Sequence, residues 1–313
     1  MEKCKSDIAT VVKHTGSHYL LSELPEWNLF PAVIKGKLRL KGFNSTNPVA
    51  VGDLVEFDRA GSNSPATIKA ILPRRNCVIR KSTNLSRQSH VIAANIDMAF
   101  LIVTVAYPEV KLQFADRFLV TCEAYNVPVT ILLNKMDLYN EEQLAMAEAF
   151  DQIYTSAGYD VVKCSATENT GIEELRERCK GKVVLFSGQS GVGKSSVIRA
   201  LDPALELRTG EISAYHLQGK HTTTFYEMHP ISTGGFVIDT PGIRGFGLVD
   251  VSPEELSTYF PEMLRVEDNC RFAPCTHTHE PGCAVKEAVE NGDISVERYE
   301  SYLGMLEEEG KYR

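Results

Sequence analysis

The sequence has no long apolar run. No stretch of its 313 residues approaches the roughly 18 consecutive apolar residues that a membrane-spanning helix needs. The start, Met1-Glu2-Lys3-Cys4-Lys5, has no apolar core of the kind found in signal peptides. We therefore expect a cytoplasmic protein without a membrane partner.

The cysteines are unevenly placed along the chain. Three of the eight cysteines fall between Cys270 and Cys283, and the others are scattered. This distribution argues against a disulfide framework and predicts one metal site together with reduced thiols.

Acidic and basic residues separate along the chain. The formal net charge is −8, yet residues 1–90 hold 14 Lys and Arg against 7 Asp and Glu, which leaves 19 against 34 in the rest. An N-terminal region with an excess of basic residues, in a chain that is otherwise acidic, predicts that this region contacts a phosphate backbone. An ordinary solvated surface would carry the same charges, so charge alone does not separate the two interpretations.

Residues 1–75 are predicted to form a small β-barrel. Short β-type runs alternate there with Gly, Asn and Pro breaks, and no long helical pattern occurs. Five such strands favour the oligonucleotide-binding (OB) fold. The predicted strands are Asp7 to Val12, His18 to Leu21, Pro31 to Leu40, Asp53 to Phe57 and Ala66 to Leu72.

Cations alternate along and just beyond the third predicted strand. In an extended chain, residues at every second position lie on one face, and cations placed there can follow an RNA backbone. A plain amphipathic strand with a soluble outer face would show the same alternation. The candidate RNA-binding residues are Lys35, Lys37, Arg39 and Lys41.

Three further regions follow the barrel. Residues 76–92 are polar and basic and are predicted to be a linker. Residues 93–250 alternate apolar strands with helical stretches, which predicts a parallel sheet covered on both faces, with ligands at the carboxyl ends of its strands. Residues 251–313 are predicted to be mainly helical, with one interruption. The predicted central strands are Met98 to Ala106, Val129 to Leu133, Val161 to Cys164, Val183 to Phe186 and Gly235 to Ile238.

A phosphate-binding motif lies in the central region. The segment Gly188 to Ser195 matches G-x-x-x-x-G-K-[ST] without a mismatch, between a predicted strand and a predicted helix. The backbone N–H groups of such a loop bind a triphosphate, Lys194 reaches its β- and γ-phosphates, and Ser195 offers a hydroxyl to Mg²⁺. The candidate residues are Gly188, Gln189, Ser190, Gly191, Val192, Gly193, Lys194, Ser195 and Ser196.

A base-recognition motif precedes the phosphate loop. Asn134-Lys135-Met136-Asp137 follows a predicted strand and matches N-K-x-D. A carboxylate at Asp137 can accept hydrogen bonds from the ring N–H and the exocyclic amine of guanine, whereas adenine presents an acceptor in the first place, so the motif favours GTP over ATP. Ser165 and Ala166, at another strand end, resemble the S-A element whose backbone supports the guanine carbonyl.

Two segments after the phosphate loop match magnesium-binding elements. Asp239-Thr240-Pro241-Gly242 matches D-x-x-G, in which the aspartate holds Mg²⁺ through water and the Gly242 N–H meets the γ-phosphate. One of Thr222, Thr223 and Thr224 is expected to close over Mg²⁺, and we assign this role to Thr223 although the sequence does not distinguish the three. The order of base motif, phosphate loop and D-x-x-G is circularly permuted relative to Ras-like GTPases.

The glutamine that orients the attacking water in Ras-like enzymes is missing. Ile243 and Arg244 follow Gly242 instead. His221 is the candidate catalytic residue, because a neutral imidazole can orient or deprotonate water near neutral pH. The alternative is a histidine that contacts a partner or nothing.

The interruption in the C-terminal region is a cysteine-histidine cluster. Cys270, Cys275, His277 and Cys283 offer three thiolates and one imidazole, the ligand set of a closed, structural zinc site. His279 is a competing ligand.

These motifs, in this order, resemble the bacterial RsgA family, also called YjeQ or YloQ, of circularly permuted GTPases that depend on the small ribosomal subunit. The resemblance covers nearly the whole chain. It implies a multi-domain protein with an OB-fold β-barrel, a central α/β P-loop GTPase domain and a C-terminal, mainly α zinc domain.

The resemblance also implies a function. A protein of this kind would bind the maturing 30S subunit and its rRNA, hydrolyse GTP to GDP and phosphate when the subunit stimulates it, and act as a monomer. It would use Mg²⁺ with GTP and one structural Zn²⁺, and His221 would take the catalytic role. We expect this protein to lack the long basic N-terminal extension that some members carry. The alternatives are a permuted GTPase with a protein partner and a non-enzymatic RNA-binding module with a structural nucleotide.

Overall fold

The computed structural model describes residues 7–15, 18–34, 48–59, 64–81, 89–205, 226–239 and 251–311. Within these ranges the strands form one sheet of eleven strands and one of two. The large sheet runs from a central α/β domain into an N-terminal barrel, and a mainly helical lobe packs against the central domain.

Five strands close into the N-terminal barrel, as predicted. They pair in the order β1-β2-β3-β5-β4, and β4 pairs back onto β1. Alternate side chains fill the interior, and Val11, Leu21 and Phe57 are among the fully buried ones. The predicted extension of the third strand to Leu40 lies outside the described residues. The strands are β1 (Asp7–Thr15), β2 (His18–Ser22), β3 (Phe30–Ile34), β4 (Leu54–Asp58) and β5 (Ala66–Ile71).

A two-stranded antiparallel hairpin occupies most of the predicted linker. Its strands are β6 (Cys77–Lys81) and β7 (Ser89–Ala94). The sequence analysis did not predict these two strands, because the apolar positions of this segment are few and its apolar runs are short. Val78 and Ile92 are nonetheless fully buried in the main core, which holds the hairpin against the central domain.

The central domain is a six-stranded portion of the large sheet, in the order β10-β9-β8-β11-β13-β12. Five of these strands, β10, β9, β8, β11 and β13, are parallel. Their carboxyl ends therefore share one edge of the sheet, as predicted. The strands are β8 (Met98–Val103), β9 (Val129–Leu133), β10 (Asp160–Lys163), β11 (Val183–Gly188), β12 (Glu227–Pro230) and β13 (Phe236–Asp239).

Strand β12 was not predicted. It is four residues long and runs antiparallel to β13. It also pairs with β1 of the barrel at Lys13 and Glu227, whose side chains form an ion pair at 2.7 Å. This strand therefore makes the barrel and the central domain one continuous sheet.

Helices cover the parallel sheet. The α2 helix shows why its ends lie where they do: Asn140 and Gln143 form a capping box at its start, and Gly158 ends it with a left-handed φ of 109°. The helices are α1 (Leu112–Ala124), α2 (Glu141–Ala157), α3 (Ile172–Cys179) and α4 (Lys194–Leu201).

The C-terminal lobe is mainly helical, as predicted. It contains α5 (Pro261–Leu264), α6 (Ala284–Asn291) and α7 (Val296–Lys311), and Phe260 and Tyr302 belong to a small apolar core that the lobe shares with Val120 of α1. Among the helices of the described ranges, none is both long and apolar enough to cross a membrane.

Gly52 lies where the barrel meets the hairpin. Its φ is +90°, its N–H donates to the Val11 carbonyl at 2.8 Å, and a Cβ added to it would stand 2.0 Å from the Ala94 carbonyl oxygen. Glycine is required there for two reasons, backbone conformation and lack of space. Gly181, with a φ of +66°, has the first constraint without the second, because no atom of the described residues lies within 4 Å of the position that a Cβ would take there.

We expect Gly52→Ala to lower the free energy of unfolding by about 2–5 kcal/mol, because left-handed strain and a steric clash add. Gly181→Ala should cost only about 1–2 kcal/mol of backbone strain. Urea unfolding followed by the fluorescence of Trp27, the single tryptophan, measures both; Trp27 packs on Phe236 of β13 at 5.6 Å between ring centroids and so reports on the packing of the barrel against the central domain. Equal losses in the two variants would contradict the steric account.

Candidate nucleotide site and metal centre

The phosphate loop joins the end of β11 to the start of α4. Gly191 and Gly193 have left-handed φ values of +89° and +95°, which let the loop curl around its own backbone N–H groups. A Cβ on Gly193 would stand 2.5 Å from the side-chain nitrogen of Asn134. The glycine pattern thus serves both the loop's conformation and its contact with the base motif.

Asn134 ties the base motif to the phosphate loop. It is 2% exposed, and its Nδ2 donates to the Val192 carbonyl at 2.9 Å. Its Oδ1 accepts from the Cys164 thiol at 3.6 Å, and its backbone carbonyl accepts from the Tyr139 hydroxyl at 2.7 Å. Both polar atoms of the side chain are therefore engaged, and the two loops are held in one arrangement.

Lys135 adds a second connection between the same loops. Its backbone is left-handed, with a φ of 69°. Its ammonium group donates to the Gly191 carbonyl at 2.7 Å and also to the Tyr107 carbonyl. The lysine of N-K-x-D consequently lies across the phosphate loop rather than in solvent.

Asp137 is half-buried beside the S-A element. The Met136 N–H donates to the Cys164 carbonyl at 3.2 Å, which brings the ends of β9 and β10 together. Ser165 is buried, and its hydroxyl accepts from the Glu168 N–H at 3.0 Å, so this side chain shapes its own loop. Ala166 packs on the edge of the main core. The Met136 contact therefore places the base motif next to the strand end that carries the S-A element.

Lys194 and Asp239 meet at the other end of the site. Asp239 ends β13, which pairs in parallel with β11 and places Asp239 opposite Phe186. The Lys194 ammonium donates to the Asp239 carboxylate, and the two side chains are only 11% and 16% exposed. Ser195 and Ser196 lie on the first turn of α4. The donor set suits a nucleotide with a divalent cation: a phosphate would pair with Lys194, while oxygen ligands from Ser195 and Asp239 suit Mg²⁺.

Several predicted site residues lie outside the described ranges. They are Lys35, Lys37, Arg39, Lys41, His221, Thr223 and Gly242, together with the neighbouring Thr222 and Thr224.

Sequence reasoning missed three residues that support the base motif. Cys164 donates to Asn134, Tyr139 supports the Asn134 carbonyl, and Tyr107 accepts from Lys135 through its carbonyl. Burial, reinforced by the charge of Asp137, raises the pKa of Cys164 to about 12, so its thiol keeps the proton that it donates. In the sequence, only proximity to a motif could have pointed to two of these residues. Cys164 directly precedes the S-A element, and Tyr139 lies two residues after Asp137.

Cys270, Cys275, His277 and Cys283 come together in the C-terminal lobe, with their ligand atoms within 4.8 Å of one another. Tetrahedral zinc with ordinary bond lengths separates two thiolates by roughly 3.8 Å and a thiolate from an imidazole nitrogen by about 3.6 Å. Cys270 Sγ lies 3.9 Å from Cys283 Sγ, and His277 Nδ1 lies 3.6 and 3.4 Å from the same two sulfurs. The geometry and the donor chemistry fit a closed zinc shell.

The surrounding lobe holds this cluster in shape. The Tyr299 hydroxyl donates to the His277 carbonyl at 2.6 Å, and Glu267 lies 3.8 Å from His277 Nε2, where it can orient the ring. Cys283 caps α6, because its sulfur accepts from the Lys286 N–H at 3.5 Å. His279 instead has its Nδ1 2.9 Å from the Thr278 hydroxyl and is not part of the cluster.

Known proteins resemble the chain over almost its entire length. The family model described as RsgA GTPase matches residues 71–249. A Bacteroides fragilis protein named small ribosomal subunit biogenesis GTPase RsgA is 52% identical over 305 residues, which cover 97% of this chain and 98% of that protein. A protein of the same name from Flavobacterium johnsoniae is 47% identical over 307 residues, covering 97% and 94% of the two chains.

Solved structures show the same architecture. The crystal structure of YjeQ from Thermotoga maritima superposes with a TM-score of 0.78 and 36% identity, covering 96% of this chain and 98% of that one. The crystal structure of YloQ, described as a circularly permuted GTPase, gives a TM-score of 0.75 and 26% identity, covering 100% and 98%.

We expect the purified protein to hold one zinc ion and His277→Ala to lose it, because the fourth ligand of a closed shell is removed. His279→Ala is the matched control and should keep the metal, since this histidine lies nearby without contributing to the cluster. Metal content by inductively coupled plasma mass spectrometry measures both. Loss of zinc from the His279 variant with retention in the His277 variant would reverse the assignment.

Proposed function

This chain belongs to the RsgA GTPase family, and from that membership we propose that it acts in late maturation of the small (30S) ribosomal subunit and hydrolyses GTP to GDP and phosphate when that subunit stimulates it. Relatives that match it over nearly their whole length carry the name small ribosomal subunit biogenesis GTPase. The observation that supports nucleotide binding most directly is the Asn134 side chain, which joins the base motif to the phosphate loop at 2.9 Å.

Each loop takes a separate part of the nucleotide in this proposal. Asp137 accepts from the guanine edge, and the backbone at Ser165 and Ala166 supports the guanine carbonyl. The loop from Gly188 to Ser196 binds the phosphates, with Lys194 released from Asp239 to do so. Ser195, Thr223 and Asp239 would hold Mg²⁺, which would neutralise charge on the β- and γ-phosphates. Met136 and Gly242 complete the GTP-binding set.

His221 takes the catalytic role. It would orient the attacking water, because no glutamine follows Gly242 to do so. A neutral imidazole performs this task near neutral pH. Slow turnover of the free protein and stimulation by the ribosomal subunit then follow if the subunit places His221 and the adjacent threonines.

The two flanking units bind the subunit. The barrel carries Lys35, Lys37, Arg39 and Lys41 as rRNA contacts, within a region that has an excess of basic residues. The zinc in the C-terminal lobe is structural: four protein ligands leave no open position for a substrate. We assign residues 1–75 to the barrel, 76–92 to the connection, 93–250 to the GTPase domain and 251–313 to the zinc domain, in a cytoplasmic monomer.

Hydrolysis would act as a timer. GTP orders the segment around Thr223 and the segment after Asp239, so that the zinc domain and the barrel can hold rRNA together, and hydrolysis releases both. A permuted GTPase with a protein partner is less well supported, because the named relatives act in ribosomal subunit biogenesis.

We expect purified 30S subunits to stimulate GTP hydrolysis and His221→Ala to reduce the stimulated rate about 100-fold or more, with GTP binding unchanged. His221→Gln should recover part of the rate, since an amide can orient water. Phosphate release measured with and without subunits, at about 50 and about 200 mM salt, tests both the partner and the residue. An undiminished rate in the alanine variant would reject His221, and absence of stimulation would reject the subunit as partner.

We expect Asp137→Asn to weaken GDP binding at least about tenfold and to favour xanthosine diphosphate, because the asparagine amide donates to the xanthine carbonyl that replaces the guanine amine. Glu141→Gln, a matched charge change on the exposed first turn of α2, should leave both affinities unchanged. Competition against a fluorescent GDP analogue gives the two affinities. Equal effects of the two variants would remove Asp137 from base recognition.

A further inference from the structure

One buried arginine lies at the contact between the C-terminal lobe and the central domain. Arg298 of α7 is 1% exposed. Its Nη1 donates to Asp116 of α1 at 2.6 Å, and its Nε and Nη2 donate to Glu262 of α5 at 2.7 and 3.1 Å. Asp116 also accepts from the Tyr154 hydroxyl at 2.8 Å. One guanidinium thus joins the lobe to the helices α1 and α2 of the nucleotide-binding domain.

Aromatic rings surround this arginine. Its guanidinium carbon lies 4.6 Å from the centroid of Phe260, 5.6 Å from that of Tyr154 and 5.7 Å from that of Tyr159. A buried ion pair adds little net stability, because desolvation offsets its attraction, but its directional hydrogen bonds permit only one arrangement of the groups that make it. The contact therefore suits a role in fixing geometry.

Arg298 and its helix act on the first two turns of α1. Asp116 lies on the second turn, and α7 also approaches the first turn, where a Cβ on Gly304 would stand 3.8 Å from Gln113 Nε2. The start of α1 therefore cannot shift without disturbing its contact with the lobe.

The segment before α1, which we call the leader loop (residues 104–110), connects this helix to the nucleotide site. The Thr104 hydroxyl donates to the Pro108 carbonyl, and the Val110 N–H donates to the Thr104 carbonyl at 2.9 Å, so the loop is closed on itself. Pro108 Cδ lies 3.3 Å from the position that a Cβ would take on Gly191 in the phosphate loop. The Tyr107 carbonyl accepts from Lys135, whose ammonium also donates to Gly191.

We propose that Arg298 is a positioning residue for the nucleotide site: it holds the start of α1, and through the leader loop it sets the position of Lys135 and Gly191 and hence the rate at which nucleotide leaves. The C-terminal lobe thereby controls nucleotide release through α1, independently of the segment that follows Asp239. This inference rests on the proposed nucleotide site.

The test measures dissociation of a fluorescent GDP analogue from the full-length, zinc-loaded protein by stopped-flow. Arg298→Lys should speed release by about 2- to 30-fold, because residues along a coupling path change it by that much. Arg265→Lys is the matched control: it belongs to the same lobe and interface, yet it donates to the Ser156 carbonyl at 2.8 Å, near the C-terminal end of α2. Its release rate should stay that of the wild type.

A double-mutant cycle separates positioning from general loosening. Thr104→Val opens the leader loop and should also speed release, while the pair Arg298→Lys and Thr104→Val should release no faster than the faster single variant, since both interrupt one path. Asp116→Asn serves as a milder variant of the same contact should Arg298→Lys fold poorly. Zinc content and the melting temperature of each variant show whether it is intact.

The outcomes are distinguishable. Unchanged release in folded Arg298→Lys and Asp116→Asn, or equal acceleration by Arg265→Lys, would overturn the positioning role. Failure of the wild-type protein to bind the GDP analogue would overturn the proposed nucleotide site instead.

Discussion

The hydrogen bond between Asn134 and the Val192 carbonyl is the contact on which the nucleotide site depends. It is buried and lies between the loop that selects the base and the loop that binds phosphate. The absence of a side chain at Gly193 permits it, because a Cβ there would occupy the same space. Lys135 makes a second connection between the same two loops, because its ammonium group donates to the Gly191 carbonyl. The base motif and the phosphate loop are thereby held side by side.

The parallel arrangement of the strands explains why the circular permutation leaves the site intact. The base loop follows β9, the phosphate loop follows β11, and Asp239 ends β13, and these strands are parallel members of one sheet. Parallel strands bring their carboxyl ends to one edge whatever their order along the chain. What permutation changes is the connectivity, because β13 now precedes the C-terminal lobe along the chain.

Motifs with strict spacing could be predicted from the sequence, whereas contacts between domains could not. The strand Val129–Leu133 has the predicted bounds, because a buried apolar run marks its ends locally. The hairpin β6-β7 and strand β12 are short, and they are stabilised by pairing and burial that local pattern does not reveal. In the sequence, Arg298 looks like an exposed arginine of an amphipathic helix. Its burial becomes visible only in the structure, where the lobe packs on α1.

The two flanking units contact different sides of the nucleotide site. The barrel pairs through β1 with β12, whose partner β13 ends at Asp239 on the phosphate side. The C-terminal lobe contacts α1, and the leader loop before α1 contacts Lys135 of the base motif. A ribosomal surface that engaged both units would act on phosphate and base through separate elements. The proposed stimulation of hydrolysis and the proposed control of nucleotide release would therefore use different elements of this fold.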